Sequence, residues 1–254
     1  IKVTGYQWKW HYDYLGEDVS FFSNISTPDS LSLATSANVD RTAETYLLDV
    51  DNRMVIPVNK KVRMLFTAND VIHSWWIPDF GVKKDTIPGF INESWIKTDK
   101  PGVYRGQCTE LCGTNHGFME IVVELKSEKD YLAWLAGKKA EAAEAAASAE
   151  KTWTLDEQMA HGEKVYATNC AACHQANGQG IPNVFPGLVG SPVAIGDIAK
   201  HIDVIINGVP GTAMQAFGGQ LNDADIAALV TYERNAWGND VGDMAQPADI
   251  KAAR

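Results

Sequence analysis

A short stretch of this chain carries four side chains that bind soft transition metals. Cys108, Cys112, His116 and Met119 lie within twelve residues, and His73 lies upstream of them. Thiolate, imidazole and thioether groups together suit copper better than magnesium, calcium or manganese. A mononuclear blue-copper site uses one Cys, whereas two Cys four residues apart can bridge two copper ions. The spacing therefore predicts a dinuclear copper site.

Two other interpretations of these residues stay open from the pattern alone. The two thiols could form a disulfide, as close pairs do in oxidising compartments. Two Cys and two His could also hold a structural zinc ion, although Met119 would then have no role and the spacing differs from the usual zinc patterns.

A second group of ligands lies in the run Cys170-Ala171-Ala172-Cys173-His174. This is the attachment signature of c-type haem, in which each Cys adds to a vinyl group and the His binds iron. A bare pair of Cys could be a redox disulfide, but the adjacent His favours haem. Met214, forty residues after His174, is the predicted distal ligand, because a Met/His pair raises the haem potential. Three other residues could bind the haem iron by their chemistry. Met244 is interpreted as a residue of the surface tail, and His161 and His201 are interpreted as solvated helix residues.

Length and composition fit two ordinary globular domains. The 254 residues are 45 % hydrophobic, and all four cysteines belong to the two motifs. Residues 1–130 carry 14 Lys+Arg against 18 Asp+Glu, and residues 131–254 carry 8 against 14, for a net charge of −10. This excess of acid argues against nucleic acid and favours a cationic protein donor. No apolar run approaches the length of a membrane span, so we expect a soluble chain.

The elements of the first half are predicted to be β-strands. Aromatic residues alternate with polar ones over residues 1–14, which predicts one strand with an aromatic face. Residues 15–44 indicate a loop without a chemical motif. Many short strands separated by turns indicate an antiparallel sandwich or barrel. The later predicted strands are Thr45–Asp51, Lys61–Ala68, Glu93–Thr98, Val103–Gln107 and Met119–Leu125.

The second half is predicted to be helical. Residues 127–152 are rich in Ala and Glu, which is typical of a helical spacer between domains. Helical spacing of apolar residues then predicts helices at Asp156–Ala167 and Asp223–Trp237. The predicted domains are therefore residues 1–126, a linker at 127–152, and residues 153–254.

Residues 107–119 resemble the copper loop of cytochrome c oxidase subunit II. The resemblance extends to residues 5–10, 49–53 and 70–89, and so to nearly all of residues 1–126. It implies a cupredoxin-like Greek-key barrel with a binuclear CuA centre at one end. It also implies that Cys108 and Cys112 bridge the coppers, that His73 and His116 are terminal ligands, and that Met119 and the backbone carbonyl of Glu110 complete the coordination.

The same resemblance implies roles for three further residues. Trp8 matches the Trp at which electrons reach copper from the donor, and is therefore expected to be an electron relay. The carboxylate of Glu110 matches one that points towards a magnesium site shared with subunit I. Residues 153–254 look like a class I cytochrome c, in which the carbonyl of Pro186 would accept a hydrogen bond from His174.

The whole layout resembles subunit II of caa3-type oxidases. It implies that electrons pass from a soluble cytochrome c or similar donor through haem c to CuA and then to haem a of subunit I, where oxygen is reduced. The family begins with a membrane hairpin, so we expect a soluble fragment, without its N-terminal anchor, from the periplasmic or outer face of a bacterial cytoplasmic membrane.

Three alternative functions are weighed against this one. The chain could deliver electrons to another membrane oxidoreductase such as a nitric oxide reductase, which the sequence does not exclude. A copper-delivery or thiol-exchange protein would show a thioredoxin-like α/β pattern, and the alternating strands argue against it. Nitrous oxide reductase shares the copper centre but needs a His-rich copper cluster, and only six His occur here.

Overall fold

The structure is a computed structural model, and it describes residues 1–26 and 44–254. Residues 27–43 of the predicted 15–44 loop therefore lie outside the described residues, and the described part contains a strand at Val19–Ser23, so the prediction of a loop is wrong there. Contacts divide the chain into two compact units, Ile1–Ala142 and Ala143–Arg254. The first is rich in β-strands and the second is helical, so the predicted fold class is confirmed. No helix in the described part of the chain is long and apolar enough to cross a membrane.

Ten strands lie in the described part of the first unit. They are β1 (Lys2–Tyr6), β2 (Lys9–Tyr14), β3 (Val19–Ser23), β4 (Met54–Pro57), β5 (Val62–Ala68), β6 (His73–Ile77), β7 (Val82–Thr86), β8 (Asn92–Ile96), β9 (Gly102–Cys108) and β10 (Glu120–Lys126). One sheet has the order β3-β2-β1-β5-β8 and the other β4-β10-β9-β6-β7. The pairs β1–β5 and β4–β10 are parallel, and the remaining pairs are antiparallel.

The core of this unit comes from the inward faces of both sheets. Alternation in β2 buries Trp10, Tyr12 and Tyr14, as the aromatic pattern predicts. The opposite sheet contributes Trp75, whose indole nitrogen lies 3.4 Å from the Tyr12 hydroxyl. Burying rings of this size is a large stabilising contribution, and it gives the loops at one end of the sheets a rigid base.

Two strand predictions in this unit are wrong. Residues 1–14 form two strands, with Tyr6 paired to Lys9 across a two-residue loop of Gln7 and Trp8. Thr45–Asp51 is a turn with an isolated bridge at Val50. The strand lies instead at Met54–Pro57, where it can pair with β10.

Helices form the rest of the chain. They are α1 (Glu128–Ala149), α2 (Leu155–Asn169), α3 (Ala171–His174), α4 (Ile198–Asn207), α5 (Asp223–Asn235) and α6 (Pro247–Ala253). The first part of α1, which the sequence predicts to be a spacer, packs on the first unit. The centroid of the Trp134 ring lies 5.1 Å from that of Tyr14 and 6.0 Å from that of Phe21.

The second unit is built on the crossing of α2 and α5. Helix α2 begins with a capping box of Thr154 and Glu157, which satisfies free N–H groups at its start. At the crossing, a Cβ on Gly162 would collide with the carbonyl oxygen of Ala228. Only glycine lets the two backbones approach this closely, and the crossing in turn fixes the end of α2, where the Cys170 motif begins.

Candidate metal centres

Neighbouring strands bring the predicted copper ligands together at one end of the first unit. His73 opens β6 and Cys108 closes β9, and these strands pair through Trp75 and Cys108. The loop after Cys108 returns to β10, and the Cys108 N–H donates to the carbonyl of Met119 at 3.0 Å. Residues far apart in sequence thus become neighbours because the sheet places their strand ends side by side.

The sulfur and nitrogen atoms of this cluster lie within reach of a shared ion or ion pair. One ligand atom each from His73, Cys108 and Cys112 lies within 4.8 Å of the others. The two sulfurs are 3.8 Å apart and both thiols are free. The Cys112 sulfur lies 3.4 Å from His116 Nδ1, and the Cys108 sulfur 3.3 Å from the carbonyl oxygen of Glu110. Met119 is buried next to the cluster in the same core.

His73 is held in one orientation by its surroundings. Its side chain is fully buried, and Nε2 lies 2.8 Å from Asp70 Oδ1. A Cβ on Gly5 would lie only 2.7 Å from the ring, so glycine is needed beneath it. The other nitrogen, Nδ1, is buried without a hydrogen-bond partner. A buried nitrogen without a partner is costly, and a metal ion between it and the thiols would satisfy it, so these residues fit copper.

The electrostatics of the cluster favour a charged sulfur. The hydrogen bond from the Cys112 thiol holds the pKa of Cys108 well below its usual range, and the same contact raises the pKa of Cys112. Burial lowers the pKa of His73, but Asp70 and Cys108 outweigh this and raise it. Burial, with the nearby Cys108, raises the pKa of Glu120 to about 7.

The β1–β2 hairpin loop is attached to the copper loop. Gln7 Nε2 and Trp8 Nε1 both donate to the carbonyl of Cys112, at 2.8 and 3.1 Å. The Gln7 backbone N–H donates to Asp70 Oδ2 at 2.7 Å. Asp70 thus joins the hairpin to His73. Trp8 is half-buried beside the cluster and not in the middle of a strand as predicted.

The second site is a cavity of about 440 Å³ in the helical unit. Cys170, Cys173 and His174 line it, together with Pro186 and Met214. His174 Nδ1 lies 2.8 Å from the carbonyl oxygen of Pro186, so Nδ1–H donates to that carbonyl and Nε2 is left as the nitrogen for a metal. The cavity is mostly apolar, which suits a large flat macrocycle, and its Cys and His residues fit a covalently bound haem.

One wall of this cavity is held by a buried arginine. Arg234 of α5 donates to the carbonyls of Ala194 and Gly196 at 2.9 and 3.0 Å, and it pairs with Asp243 at 2.6 Å. Its side chain is 2 % exposed. Ala194 lines the cavity, so this guanidinium fixes the loop that closes it.

The prediction that His201 is solvated is wrong. His201 is 2 % exposed and lines the cavity, and its Nε2 lies 2.8 Å from Glu233 Oε2. His161, by contrast, is partly exposed and pairs with Asp225 at 2.7 Å. Met244 is 39 % exposed, in the segment between α5 and α6.

Comparison with known proteins follows this division into two units. The family model "Cytochrome C oxidase subunit II, periplasmic domain" matches residues 1–126, and "Cytochrome C oxidase, cbb3-type, subunit III" matches residues 157–232. The solved periplasmic domain of subunit II (CoxB) of Bradyrhizobium japonicum is 40 % identical, over 56 % of this chain and 93 % of that one, with a TM-score of 0.48.

Residues 1–126 belong to the cytochrome c oxidase subunit II family. Among curated members, the "Probable cytochrome c oxidase subunit 2" of Rickettsia bellii is 49 % identical over 139 residues, which are 54 % of this chain and 48 % of that protein. The "Cytochrome c oxidase subunit 2" of Cereibacter sphaeroides is 42 % identical over 146 residues, 53 % of this chain and 48 % of that protein. The chain thus spans about half the length of these subunit II relatives.

The subunit II cluster contains residues that the sequence analysis missed. Gln7 and Asp70 are not among the predicted ligands, yet they hold Trp8, Cys112 and His73 in place. A sequence signal exists for Asp70 alone, since a carboxylate three residues before a metal-binding His is a common partner for its second nitrogen. Glu110, proposed for magnesium, has its side chain exposed, and its carbonyl faces Cys108.

Proposed function

We propose that this chain is the subunit through which electrons enter a haem–copper terminal oxidase, from a soluble donor through haem c to a dinuclear copper centre and on to haem a of subunit I. The observation that carries this proposal is the convergence of His73, Cys108, Cys112 and His116 at one end of the β-unit. Oxygen reduction belongs to subunit I, and this chain contributes electron transfer alone.

The copper pair would be held by the side chains that surround the two sulfurs. Cys108 and Cys112 would bridge the ions, with His73 and His116 as terminal ligands and Met119 and the Glu110 carbonyl completing the set. Soft sulfur ligands with imidazole select copper among the available metals. Asp70 orients His73 through Nε2, and this kind of second contact normally sets ring orientation and ligand basicity.

The haem would be attached through Cys170 and Cys173, with His174 and Met214 as axial ligands. The Pro186 carbonyl fixes the tautomer of His174, because it accepts from Nδ1 and leaves Nε2 for iron. Met214 is positioned through its backbone, since its N–H donates to Thr212 Oγ1 at 3.1 Å. A Met/His pair raises the haem potential to a range that suits an electron carrier.

The proposal also includes an electron relay, a magnesium site shared with subunit I, and a cellular location. Trp8 would act as an electron relay, supported by its hydrogen bond to the Cys112 carbonyl. The exposed carboxylate of Glu110 would contribute to a magnesium site shared with subunit I. The matching family describes a periplasmic domain, and we propose a periplasmic position for this chain.

The test is an optical spectrum with metal analysis of the full chain, expressed with haem c maturation and loaded with copper. We expect two coppers and one haem per chain, with the purple colour of a mixed-valence copper pair. A Cys170→Ser/Cys173→Ser variant is the matched control, and it should keep the copper bands and lose covalent haem. One copper per chain, or bound zinc in place of copper, would contradict the proposal.

A further inference from the structure

The haem cavity contains one ionisable pair in addition to its attachment motif, His201 and Glu233. The two side chains are 3 % and 5 % exposed and are joined at 2.8 Å. His201 shares a helix face with Val204 and Ile205, and Glu233 shares one with Leu229. Residues at these spacings lie on the same side of a helix, so α4 and α5 both present this pair to the cavity.

The second nitrogen of His201 has no hydrogen-bond partner among the residues that the structure describes. Nδ1 is buried and makes no hydrogen bond, whereas Nε2 is engaged by Glu233. Other polar residues of the wall are already bonded to the main chain, as Thr212 is to the carbonyl of Val209 and Asn169 to that of Val165. A buried polar atom without a partner costs free energy, so Nδ1 indicates a ligand group in the cavity.

We propose that His201 binds a carboxylate of the haem through Nδ1, and that Glu233 is the residue that positions its ring. This inference rests on the proposed function, because it requires haem in this cavity. Haem is an apolar macrocycle with two propionate carboxylates, and a carboxylate placed in an apolar cavity needs a hydrogen-bond donor.

The chemistry of the pair fits this role. The ring has two nitrogens, so His201 can contact Glu233 through Nε2 on one side and offer Nδ1 to a haem carboxylate on the other. Glu233 is fixed on α5, next to the buried Arg234, which anchors the cavity wall. The ring is therefore set by rigid elements, and the donor is in place before the haem arrives.

The contact has a consequence for the redox equilibrium. A free carboxylate near the iron stabilises the ferric state, and a hydrogen-bond donor to that carboxylate offsets the effect. Loss of the donor should therefore lower the reduction potential. We expect about a tenfold fall in the equilibrium constant for reduction, which corresponds to about 59 mV for one electron.

Two substitutions separate the two nitrogens of His201. His201→Gln places an amide near the Nε2 position, so it keeps a contact to Glu233 and loses the donor at Nδ1. His201→Asn places an amide near Nδ1, so it keeps a donor for the haem and leaves Glu233 without a partner. His161→Gln is the matched control, because His161 also pairs with a carboxylate in this unit and does not line the cavity.

The experiment uses the full chain with haem and copper, and it measures the haem potential and the propionate bending band in the resonance Raman spectrum. We expect His201→Gln to lower the haem reduction potential, by an amount that corresponds to about a tenfold fall in the equilibrium constant for reduction. The same substitution should shift the propionate bending band. His201→Asn should keep the band and lower the melting temperature, and His161→Gln should change neither haem signal.

The proposal is overturned if His201→Gln leaves both signals at their original values, or if His201→Asn shifts the band as His201→Gln does. An equal change in His161→Gln would also overturn it, since the effect would then be general to the domain. The haem content of the unmodified chain is measured first by its pyridine haemochrome spectrum. A chain without covalent haem would contradict the proposed function, which is a result distinct from any change at His201.

Discussion

Gly5→Ala tests whether the orientation of His73 controls copper binding. A Cβ at this position would lie 2.7 Å from His73 Cδ2 and 3.0 Å from both His73 Cγ and Thr86 Oγ1, where ordinary contact begins at 3.4 Å. The ring would have to move by the difference of 0.7 Å. It cannot swing into solvent, because it is fully buried.

This displacement is large for a metal site, which needs its ligands within about 0.5 Å of the productive geometry. We expect copper affinity to fall about 10- to 100-fold, as it does when a supporting contact to a ligand is lost. Overpacking should also lower the free energy of unfolding of the copper-free protein by about 1–3 kcal/mol. Copper competition titrations and thermal melts with and without copper measure the two effects separately.

Two glycines serve as controls for Gly5→Ala. A Cβ on Gly117, in the copper loop, meets nothing within 4 Å, and the same is true of Gly137 in α1. Gly117→Ala should leave copper affinity unchanged, and Gly137→Ala should stabilise the helix by about 0.5–1 kcal/mol. If the Gly5→Ala variant bound two coppers with unchanged affinity, the position of His73 would not control copper binding. The assignment of His73 as a copper ligand would then be wrong.

Three substitutions test the remaining assignments. Cys112→Ser should remove one bridge and leave at best a single-copper centre, and an unchanged spectrum with two coppers would exclude bridging. Met214→Ala should free the sixth position of the haem iron and lower its potential, whereas a low-spin haem at the original potential would shift the assignment to Met244 or to a His. In rapid mixing with a reduced donor, Trp8→Phe should leave haem reduction fast and make copper reduction slow. Slower haem reduction with an unchanged copper step would contradict transfer from haem to copper through Trp8.

Sequence reasoning could identify candidate ligands where residue type and local spacing are distinctive. The two Cys of the copper loop and the Cys170–His174 run were recognisable because ligand type and close spacing are visible without a fold. The alternation in β2 and in β5 gave the buried faces correctly, since a strand alternates its side chains between two faces. These features are local, and so they can be read directly.

Sequence reasoning failed where a turn or a partner carries no local signal. Aromatic alternation continues through Gln7 and Trp8, and the loop there lacks the Asn-Gly or Asp-Gly pair that normally marks a tight hairpin. The predicted strand Thr45–Asp51 is a turn in which the Leu48 side chain is 40 % exposed, so it has no buried face to pair with a sheet. His201 seemed a surface residue because its partner Glu233 lies 32 residues away on another helix.

The contact between the hairpin and the copper loop has a consequence for the order in which the protein folds. Gln7 and Trp8 reach Cys112 across 105 and 104 residues of chain. Contacts of such long separation form late, because the intervening loop must be closed before they contribute stability. The thiols of Cys108 and Cys112 should therefore stay accessible for most of refolding, and a pulse of alkylating reagent should label them after the strands have become protected from hydrogen exchange. Early protection of both thiols would contradict this order. The newly made chain thus has a period in which these two sulfurs are open to copper and to oxidants alike, and the environment in which it folds decides which of the two reacts with them first.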